Sequence, residues 1–276
     1  MFDKAGKIAL VTGASSGIGK DIARQLISDG FQVYAAARGI DRMADLAALG
    51  ARLLRLDLSR EDEIAAAVAL ILDEVGRVDV LVNNAGFGLY GPIEEIPLDE
   101  ARYQFEVNLF GAARLTQLLL PAMRDRRAGT IVNVTSMGGK IYSLLGGWYH
   151  ATKHAFEGWS DCLRLEVAQF GIRVVIIEPG VIETAFGEAA GRNLTARSAG
   201  GPYAPQAQAV ARAISKTYGR GTGSPGTVIA GVVSQAARAG RPRTRYAAGK
   251  YARMLLAMRR WLSDRSFDSL ILSQTK

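Results

Sequence analysis

Tyr149 and Lys153 stand four residues apart in a segment whose pattern of apolar residues predicts a helix. Residues at this spacing share one helix face, so the phenol and the ammonium can lie side by side. A free phenol has a pKa of about 10 and exchanges protons poorly at neutral pH, whereas a neighbouring ammonium favours the phenolate and lowers that pKa. Tyr149 is therefore a candidate general acid or base, although the same spacing also occurs in ordinary surface pairs. Ser136, on the loop after a predicted strand, could hold a substrate oxygen.

A second chemical signal is the glycine-rich segment Thr12–Gly19, which follows an apolar run and precedes a helical pattern. Glycine at Gly13 and Gly17 allows a tight turn and a close approach of the backbone to a pyrophosphate. The N-terminus of the following helix offers N–H groups to the same anion. A plain turn is the alternative, but the order of strand, turn and helix favours a dinucleotide site.

The end of the second predicted strand indicates which dinucleotide this is. An acid at that point normally binds the adenosine ribose hydroxyls of NAD, yet this strand ends in three alanines and Arg38. The planar guanidinium of Arg38 suits the 2′-phosphate of NADP(H), while the alternative is a solvated surface arginine. Asp41 lies nearby and is better explained as the cap of the next helix. The sequence therefore favours NADP(H) as cofactor.

These side chains need a scaffold of alternating strands and helices. Short β-branched runs predict strands over residues 7–12, 32–37, 52–57, 80–83, 130–135 and 173–178. Amphipathic stretches predict helices near residues 17–29, 41–49, 60–75, 99–126 and 150–170. The alternation predicts an α/β fold, a single-domain Rossmann-like doubly wound parallel sheet with helices on both faces. Ligands of such a sheet bind at the carboxyl ends of its strands.

The regular alternation stops after Pro179. Residues 184–204 are rich in Gly, Ala, Thr and Ser and predict a mobile substrate loop. Helices are expected over about 205–218 and 225–239, the second capped by Ser224, followed by a short strand near 243–247 and a helix over 250–262. With no linker that would divide the chain, we expect one domain over residues 1–276, with a basic C-terminal extension over 238–276.

Composition bounds the partners of the protein. The net charge of +8 lies wholly in the last 41 residues, which hold 10 basic and 2 acidic side chains. No recognition motif accompanies this charge, so we expect no nucleic-acid partner. No apolar stretch reaches bilayer length, no secretory signal is evident, and the single cysteine, Cys162, excludes an internal disulfide; a cytoplasmic location is therefore expected. His150 and His154 lie too far round the helix for joint metal binding with any nearby ligand, and we predict no metal site.

Taken together, these motifs resemble the short-chain dehydrogenase/reductase family over nearly the whole chain. The resemblance rests on TGASSGIG at 12–19, Asp57-Leu58, Asn83-Asn84-Ala85-Gly86, Asn108, Ser136, Tyr149-xxx-Lys153 and Pro179-Gly180. The segment beyond Pro179 is loosely similar to the hydroxysteroid and retinol dehydrogenase branch. One departure is Trp148, where a small residue is common, and it bears on the width of the pocket.

The resemblance implies roles for individual residues. Tyr149 would give or take the proton, Lys153 would hold the nicotinamide ribose, Ser136 would orient the carbonyl, and Asn108 would anchor a water that links Lys153 to solvent. Asp57 would contact the adenine, Asn84 the adenosine side, and Ile182 and Thr184 the carboxamide end. The full set of implied cofactor-binding residues is Gly13, Ser15, Ser16, Gly17, Ile18, Arg38, Asp57, Leu58, Asn84, Ala85, Gly86, Tyr149, Lys153, Pro179, Gly180, Ile182 and Thr184.

The predicted function is hydride transfer between NADP(H) and a hydrophobic ketone, aldehyde or secondary alcohol. We expect the pocket to be lined by Phe87–Tyr90, Gly138–Trp148 and the 184–204 loop, of which the middle segment is largely apolar. The alternative is a catalytically silent, nucleotide-sensing binding protein of the same fold. The resemblance also implies a homodimer or homotetramer built through the helices near 99–126 and 150–170.

The basic extension allows two interpretations. Tyr251, Leu255, Met258 and Leu262 fall at helical spacing, with Met254 and Trp261 beside them. The favoured interpretation is that this stripe packs on the body or on a partner subunit while the arginines face water. The alternative is weak contact of this helix with an anionic membrane surface.

Overall fold

In the computed structural model, which describes residues 6–219 and 221–275, the centre of the fold is a seven-stranded, wholly parallel sheet. The strands pair in the order β3-β2-β1-β4-β5-β6-β7. They are β1 (Ile8–Thr12), β2 (Gln32–Ala37), β3 (Arg52–Arg55), β4 (Val80–Asn83), β5 (Gly129–Val134), β6 (Ile172–Pro179) and β7 (Arg245–Ala248). Strands β1, β4 and β5 are buried along their whole length, as continuous apolar runs covered on both faces require.

Helices cover both faces of this sheet. They are α1 (Gly17–Ser28), α2 (Ala44–Ala48), α3 (Glu61–Val75), α4 (Leu98–Phe105), α5 (Gly111–Asp125), α6 (Gly147–Val167), α7 (Ala185–Arg197), α8 (Ala204–Tyr218), α9 (Thr227–Arg238), α10 (Ala252–Trp261) and α11 (Asp264–Ser273). Apolar residues of α1, α2 and α9 form one core layer, and those of α3, α5 and α6 form the layer opposite. The predicted fold class, a single-domain doubly wound sheet, is confirmed.

Helix α3 shows how the sequence produces these layers. Apolar residues recur every three or four positions, so one stripe of the helix is buried against the sheet: Ile64, Val68, Ile71 and Val75. Three consecutive acids, Glu61–Glu63, occupy its first turn, where they face the positive end of the helix dipole. Gly76 ends the helix in a left-handed conformation with φ of +73°.

Two expectations for the segment after β6 are wrong. The expected loop at 184–204 is mostly the helix α7, which begins where the hydroxyl of Thr184 accepts the N–H of Phe186 (3.3 Å). Its Ala190 and Leu194 are buried against α8, and this burial outweighs the weak helix propensity of the glycines. Ser224 does not cap α9, which begins at Thr227. The hydroxyl of Ser224 accepts the N–H of Lys250 instead (3.0 Å).

The basic extension begins inside the sheet. Strand β7 pairs with β6, so the predicted strand near 243–247 is confirmed. In α10, Ala252 is the fully buried residue, while Met254 is 51% exposed and Trp261 is 80% exposed. Helix α11 was not predicted; its Phe267 is buried against Tyr142, with ring centroids 5.1 Å apart. Within residues 6–219 and 221–275, every helix is too short or too polar to cross a bilayer.

Candidate active site

One cavity of about 690 Å³ opens at the carboxyl ends of the central strands. Every residue that the sequence implied for cofactor binding lines it, from Gly13 in the first loop to Thr184 after β6. Ser136 lines the same cavity, so the side chains expected to do chemistry meet at one place. Asn108 does not line the cavity and lies one layer behind it.

The glycine-rich loop leaves the start of α1 open to an anion. Gly13 and Gly17 have φ of +69° and +51°, and a Cβ at Gly13 would lie 2.9 Å from the Cα of Ala85. A Cβ at Gly19 would lie 2.3 Å from the carbonyl oxygen of Gly13. Ser16 stands at the N-cap position without a side-chain cap, and the first turn holds no acid. The first N–H groups of α1 are thus left for a ligand, which fits a pyrophosphate.

Asn84 connects this loop to β4. Its Nδ2 donates to the carbonyl oxygen of Thr12 (2.9 Å), and the Thr12 hydroxyl accepts the N–H groups of Asn84 (3.0 Å) and Ala85 (3.1 Å). The Asn84 amide therefore fixes the two loops that form the floor of the cavity. Its expected contact with the adenosine side remains a prediction.

Two arginines border the cavity at the end of β2. Arg38 donates to the hydroxyl of Tyr103 (3.0 Å), and Arg42 donates to the hydroxyl of Ser15 (3.3 Å). Sequence reasoning missed Arg42, because its only signal was its place in the turn after Arg38. Asp57, one strand further, has its carboxylate fixed by the N–H (2.9 Å) and hydroxyl (2.8 Å) of Ser59. Two cations thus stand where an NAD-specific site would carry an acid.

The tyrosine and lysine predicted to act together both project from α6 and are buried. The Nζ of Lys153, which is 6% exposed, donates to the carbonyl oxygen of Val134 (3.2 Å). Burial lowers the pKa of Lys153 to about 8, and the Glu157 carboxylate acts against this shift. Burial also raises the pKa of Tyr149, opposed by a hydrogen bond with Ser136. Burial therefore dominates the titration of Tyr149, rather than the Lys153 ammonium that we expected to lower its pKa.

Asn108 lies in a π-helical turn, Glu106–Phe110, that divides the helix expected over 99–126. Its Nδ2 donates to the Phe87 carbonyl (2.9 Å) and the Thr152 hydroxyl (3.1 Å), and its Oδ1 accepts the N–H of Phe87 (3.0 Å). A Cβ on Gly86 would lie 3.1 Å from that Oδ1 and 3.7 Å from the Nζ of Lys153. Asn108 is thus held close behind Lys153, and its role as a water anchor stays a prediction.

Aromatic side chains from distant parts of the chain surround Tyr149. Its ring lies 5.7 Å from that of Tyr90 and 5.4 Å from that of Phe186, and Phe186 lies 6.3 Å from Tyr218. Phe186 and Tyr218, on α7 and α8, line the cavity together with Phe87. Tyr218 was missed, because nothing local in the sequence relates the end of α8 to Tyr149.

The expected lining by Gly138–Trp148 and by Leu89 and Tyr90 is wrong. The segment after Ser136 packs on α6, where His150 bonds the carbonyl of Gly138 (2.9 Å) and the hydroxyl of Ser143 (2.9 Å), and its Leu145 packs in one apolar cluster with Tyr149. Trp148 packs among Leu89 and Ile96 outside the cavity, so it does not set the cavity's width. Within residues 6–219 and 221–275, no cluster of His, Cys, Asp and Glu could hold a metal ion.

Comparison with known proteins gives consistent matches along the sequence. A sequence model of the family described as short chain dehydrogenase matches residues 7–194. The probable short-chain type dehydrogenase/reductase VdlC of Helicobacter pylori is 31% identical over 95% of this chain and 96% of its own length. The 3-ketodihydrosphingosine reductase of Bacteroides thetaiotaomicron is 39% identical over 65% of each chain.

Solved structures extend the likeness to the fold. A short-chain dehydrogenase from Streptomyces avermitilis has a TM-score of 0.77 and 33% identity, over 98% of this chain and 96% of that one. The closed form of serine dehydrogenase, complexed with NADP⁺, has a TM-score of 0.76 and 26% identity over 88% and 94% of the two chains. With the family match over most of its length and this cavity at the strand ends, the chain belongs to the short-chain dehydrogenase/reductase family, oxidoreductases that use nicotinamide cofactors.

Proposed function

We propose that the protein is an NADP(H)-dependent carbonyl reductase or alcohol dehydrogenase for hydrophobic ketones, aldehydes or secondary alcohols. The observation that carries this proposal is the position of Tyr149, which is buried, hydrogen-bonded to Ser136 and placed between the glycine-rich loop and an aromatic wall formed by Phe87, Phe186 and Tyr218. A phenol whose pKa is raised by burial is protonated at neutral pH, and this is the form that gives a proton to a carbonyl oxygen.

The cofactor fits the chain's own donors. The N–H groups at the start of α1 would hold the pyrophosphate, Lys153 the nicotinamide ribose, and Ile182 and Thr184 the carboxamide end. When bound, NADP(H) supplies the hydride. Arg38 and Arg42 would bind the 2′-phosphate, which favours NADP(H) over NAD(H), and the NADP⁺ complex of serine dehydrogenase supports this choice.

The residues around the reacting oxygen have separate tasks. Tyr149 holds or moves the proton at its phenolic oxygen, and Ser136 hydrogen-bonds that oxygen and orients the substrate. Lys153, as an ammonium, favours the phenolate that forms when Tyr149 has given up its proton. The Val134 carbonyl accepts the Nζ of Lys153 and fixes its place in the cavity wall.

The aromatic wall supports an apolar substrate. Phe87, Phe186 and Tyr218 line the cavity beside Tyr149, and polar contacts on this side come from Asn193 and the Tyr218 hydroxyl. A ketone on a hydrocarbon body would bury its apolar surface there while few polar groups fix its orientation. The similarity to a 3-ketodihydrosphingosine reductase agrees with this substrate class without identifying the substrate.

The decisive experiment is NADPH oxidation, followed by absorbance, with a panel of ketones of increasing hydrocarbon size. We expect turnover with hydrophobic members and little with NADH, and Tyr149→Phe serves as the inactive control. Tight NADPH binding without turnover of any ketone, or of any alcohol with NADP⁺, would favour the silent nucleotide-sensing alternative.

A homodimer or homotetramer, built through α4, α5 and α6, is part of the same proposal. Phe110 and Leu165 are large apolar residues exposed on these elements, and a second copy would cover them. Light scattering after size exclusion measures the mass, and Leu165→Arg should lower it.

A cytoplasmic location is supported by the exposed free thiol of Cys162.

Weak binding to anionic membranes through α10 is a second proposal for the basic extension. Met254 and Trp261 project outward, with Arg253 and Arg260 exposed beside them, as on helices that lie at a lipid surface. Vesicles with anionic headgroups should bind the wild type more than the double variant Met254→Ser, Trp261→Ser. Equal binding by the two proteins would favour the interpretation that the sequence favoured, in which α10 packs on the body or on a partner subunit.

A further inference from the structure

Three acidic side chains converge behind Ser136 and Lys153, on the side away from the cavity. Glu157 and Asp161 belong to α6, and Glu178 belongs to β6. The side chain of Glu157 is only 1% exposed, so it is held as a charged group in the interior only if cations compensate it. None of these acids lines the site described above.

Arg245, on the edge strand β7, contacts all three acids. Its Nε and Nη2 donate to Oε2 of Glu157 (3.2 and 2.8 Å), and Nη2 also donates to Oδ2 of Asp161 (2.5 Å). Its Nε lies 3.6 Å from Oε1 of Glu178. Such two-pronged contact with carboxylates is a geometry that lysine does not reproduce.

Besides Lys153, which lies one helical turn before Glu157, Lys140 and Arg164 face this cluster. The Nζ of Lys140 lies 3.4 Å from Oε2 of Glu157, but the Lys140 side chain is 42% exposed and its charge is screened by water. Arg164 pairs with Asp161 on the same helix. Arg245 is therefore the main compensation for Glu157.

Glu157 connects this cluster to the residues that act in the cavity. It follows Lys153 by one helical turn, and its Oε1 accepts the hydroxyl of Thr135 (2.5 Å). Thr135 directly precedes Ser136, and it directly follows Val134, whose carbonyl accepts the Nζ of Lys153. A Cβ on Gly139 would lie 2.7 Å from Cγ of Glu157, so the turn after Ser136 rests on this side chain.

We propose that Arg245 is a positioning residue for the reaction: by holding Glu157 as a carboxylate behind α6, it fixes Thr135 and Ser136 and sustains the charge of Lys153. This inference rests on the function proposed above for Tyr149, Ser136 and Lys153. It assigns a part in the reaction to the last strand of the sheet, far from the cavity in sequence.

Removing the guanidinium of Arg245 takes away the main partner of Glu157. Without the guanidinium, Glu157 is a buried carboxylate whose remaining cations are the exposed Lys140 and Lys153 itself, and an undercompensated charge in the interior is neutralised rather than kept. Lys153 then loses the anion that opposes the effect of its burial, and its pKa falls below the value of about 8. A neutral lysine no longer favours the phenolate of Tyr149, so the defect should grow with pH.

The test compares Arg245→Gln with Arg245→Lys and with the control Arg243→Gln, an exposed arginine of the same segment. If the pKa of Lys153 falls by about one unit, kcat of Arg245→Gln should be less than about 2-fold below wild type at pH 6 and about 10-fold below it at pH 9. Arg245→Lys should recover part of this difference, and Arg243→Gln should match wild type at both pH values.

The double variant Arg245→Gln, Glu157→Gln shows whether the two residues act together. Because both single changes remove the same carboxylate charge, the double variant should be no worse than Glu157→Gln alone. A loss in Arg245→Gln that is equal at all pH values, or a multiplied loss in the double variant, would overturn the proposal. If Arg245→Gln fails to fold, Glu157→Gln is tested instead. A dependence of its kcat on pH that matches wild type would also overturn the proposal.

NADPH binding separates this inference from the proposed function. Because Lys153 is proposed to hold the nicotinamide ribose, the Kd for NADPH, measured by fluorescence, should rise with pH earlier in Arg245→Gln than in wild type. This readout needs no turnover, so it applies even if no ketone is reduced. An unchanged pH dependence of the Kd would count against the role of Arg245 and leave Tyr149 untouched.

Discussion

The chain up to Pro179 and the chain beyond it contribute to the same cavity in different ways. The first part supplies the glycine-rich loop, Ser136, Tyr149 and Lys153, each on a loop or helix that directly follows a parallel strand. The second part supplies the covering helices α7 and α8 and the edge strand β7, whose Arg245 reaches α6 from behind. The family match covers residues 7–194 and thus mainly the first part.

The two parts therefore differ in what they contribute to the reaction. Most residues proposed to touch the cofactor or the reacting oxygen come from the first part, and Gly180, Ile182 and Thr184 add to them from the start of the second. Phe186 and Tyr218, which line the cavity beside Tyr149, and Arg245, which holds the buried carboxylate of Glu157, come from the second part. We therefore expect changes in the first part to abolish the reaction, and changes in the second part to alter its substrates and its pH range.

The largest effect should come from Tyr149→Phe. Removing the hydroxyl removes the proton donor, so kcat should fall by at least ~10²-fold, as expected for a positioned general acid. The Kd for NADPH should stay within a few-fold of wild type, because the cofactor's other contacts are kept. Lys153→Met should instead impair both kcat and Kd. Substantial turnover by the Phe variant would contradict the proposed role of Tyr149.

Next in size is the choice of cofactor. Arg38→Asp combined with Arg42→Ala removes both cations and introduces a carboxylate that repels a 2′-phosphate and can bond ribose hydroxyls. We expect the ratio of kcat/KM for NADPH to that for NADH to fall by about 100-fold, roughly 10-fold for each guanidinium that no longer pairs with the phosphate. Lys20→Ala, on the neighbouring helix, is the control. A wild type that prefers NADH would show that neither arginine determines the choice of cofactor.

A smaller and different effect is expected from the second part of the chain. Phe186→Ala enlarges the cavity beside Tyr149 and removes apolar surface worth roughly 1–3 kcal/mol to a bound hydrophobic substrate. Because this apolar contact is lost, the KM for a bulky ketone should rise by about 10-fold or more relative to the KM for acetone. The Kd for NADPH should stay unchanged. An equal loss of kcat/KM with every ketone would show that Phe186 stabilises the site as a whole and does not select the substrate.

The smallest effect concerns stability. Burial raises the pKa of Glu178 to about 7, with the neighbouring Glu157 charge adding to the shift. Since this folded value lies above the unfolded one of about 4.5, the folded protein binds the extra proton between these pH values, and stability falls as pH rises through that window. Glu178→Gln should therefore raise the free energy of unfolding by about 1–3 kcal/mol at pH 8 and change it little at pH 5.

Thermal unfolding at both pH values measures this difference, and Glu166→Gln, at an exposed position of α6, is the matched control. A gain of Tm that is the same at pH 5 and pH 8 would show that the ionisation of Glu178 is not its cause.

Sequence reasoning succeeded where a signal is local. The turn at Gly13, the spacing of Tyr149 and Lys153 and the absence of an acid after β2 can each be identified within a few residues. It failed where packing between distant segments decides: burial of Leu194 against α8 makes a helix of an expected loop, and Tyr218 reaches Tyr149 only through that packing. The π-helical turn at Asn108 and the pairing of Arg245 with Glu157, 88 residues apart, also have no local mark.

The place of β7 in the sheet has a consequence for the order of events during synthesis. The ribosome delivers α6 and β6 before Arg245, so Glu157 exists for a time without its main cation, while Asp161 already has Arg164 on the same helix. Pairing of β7 with β6 brings the guanidinium to both. The surroundings of the helix that carries Tyr149 and Lys153 are thus complete only when the last strand docks.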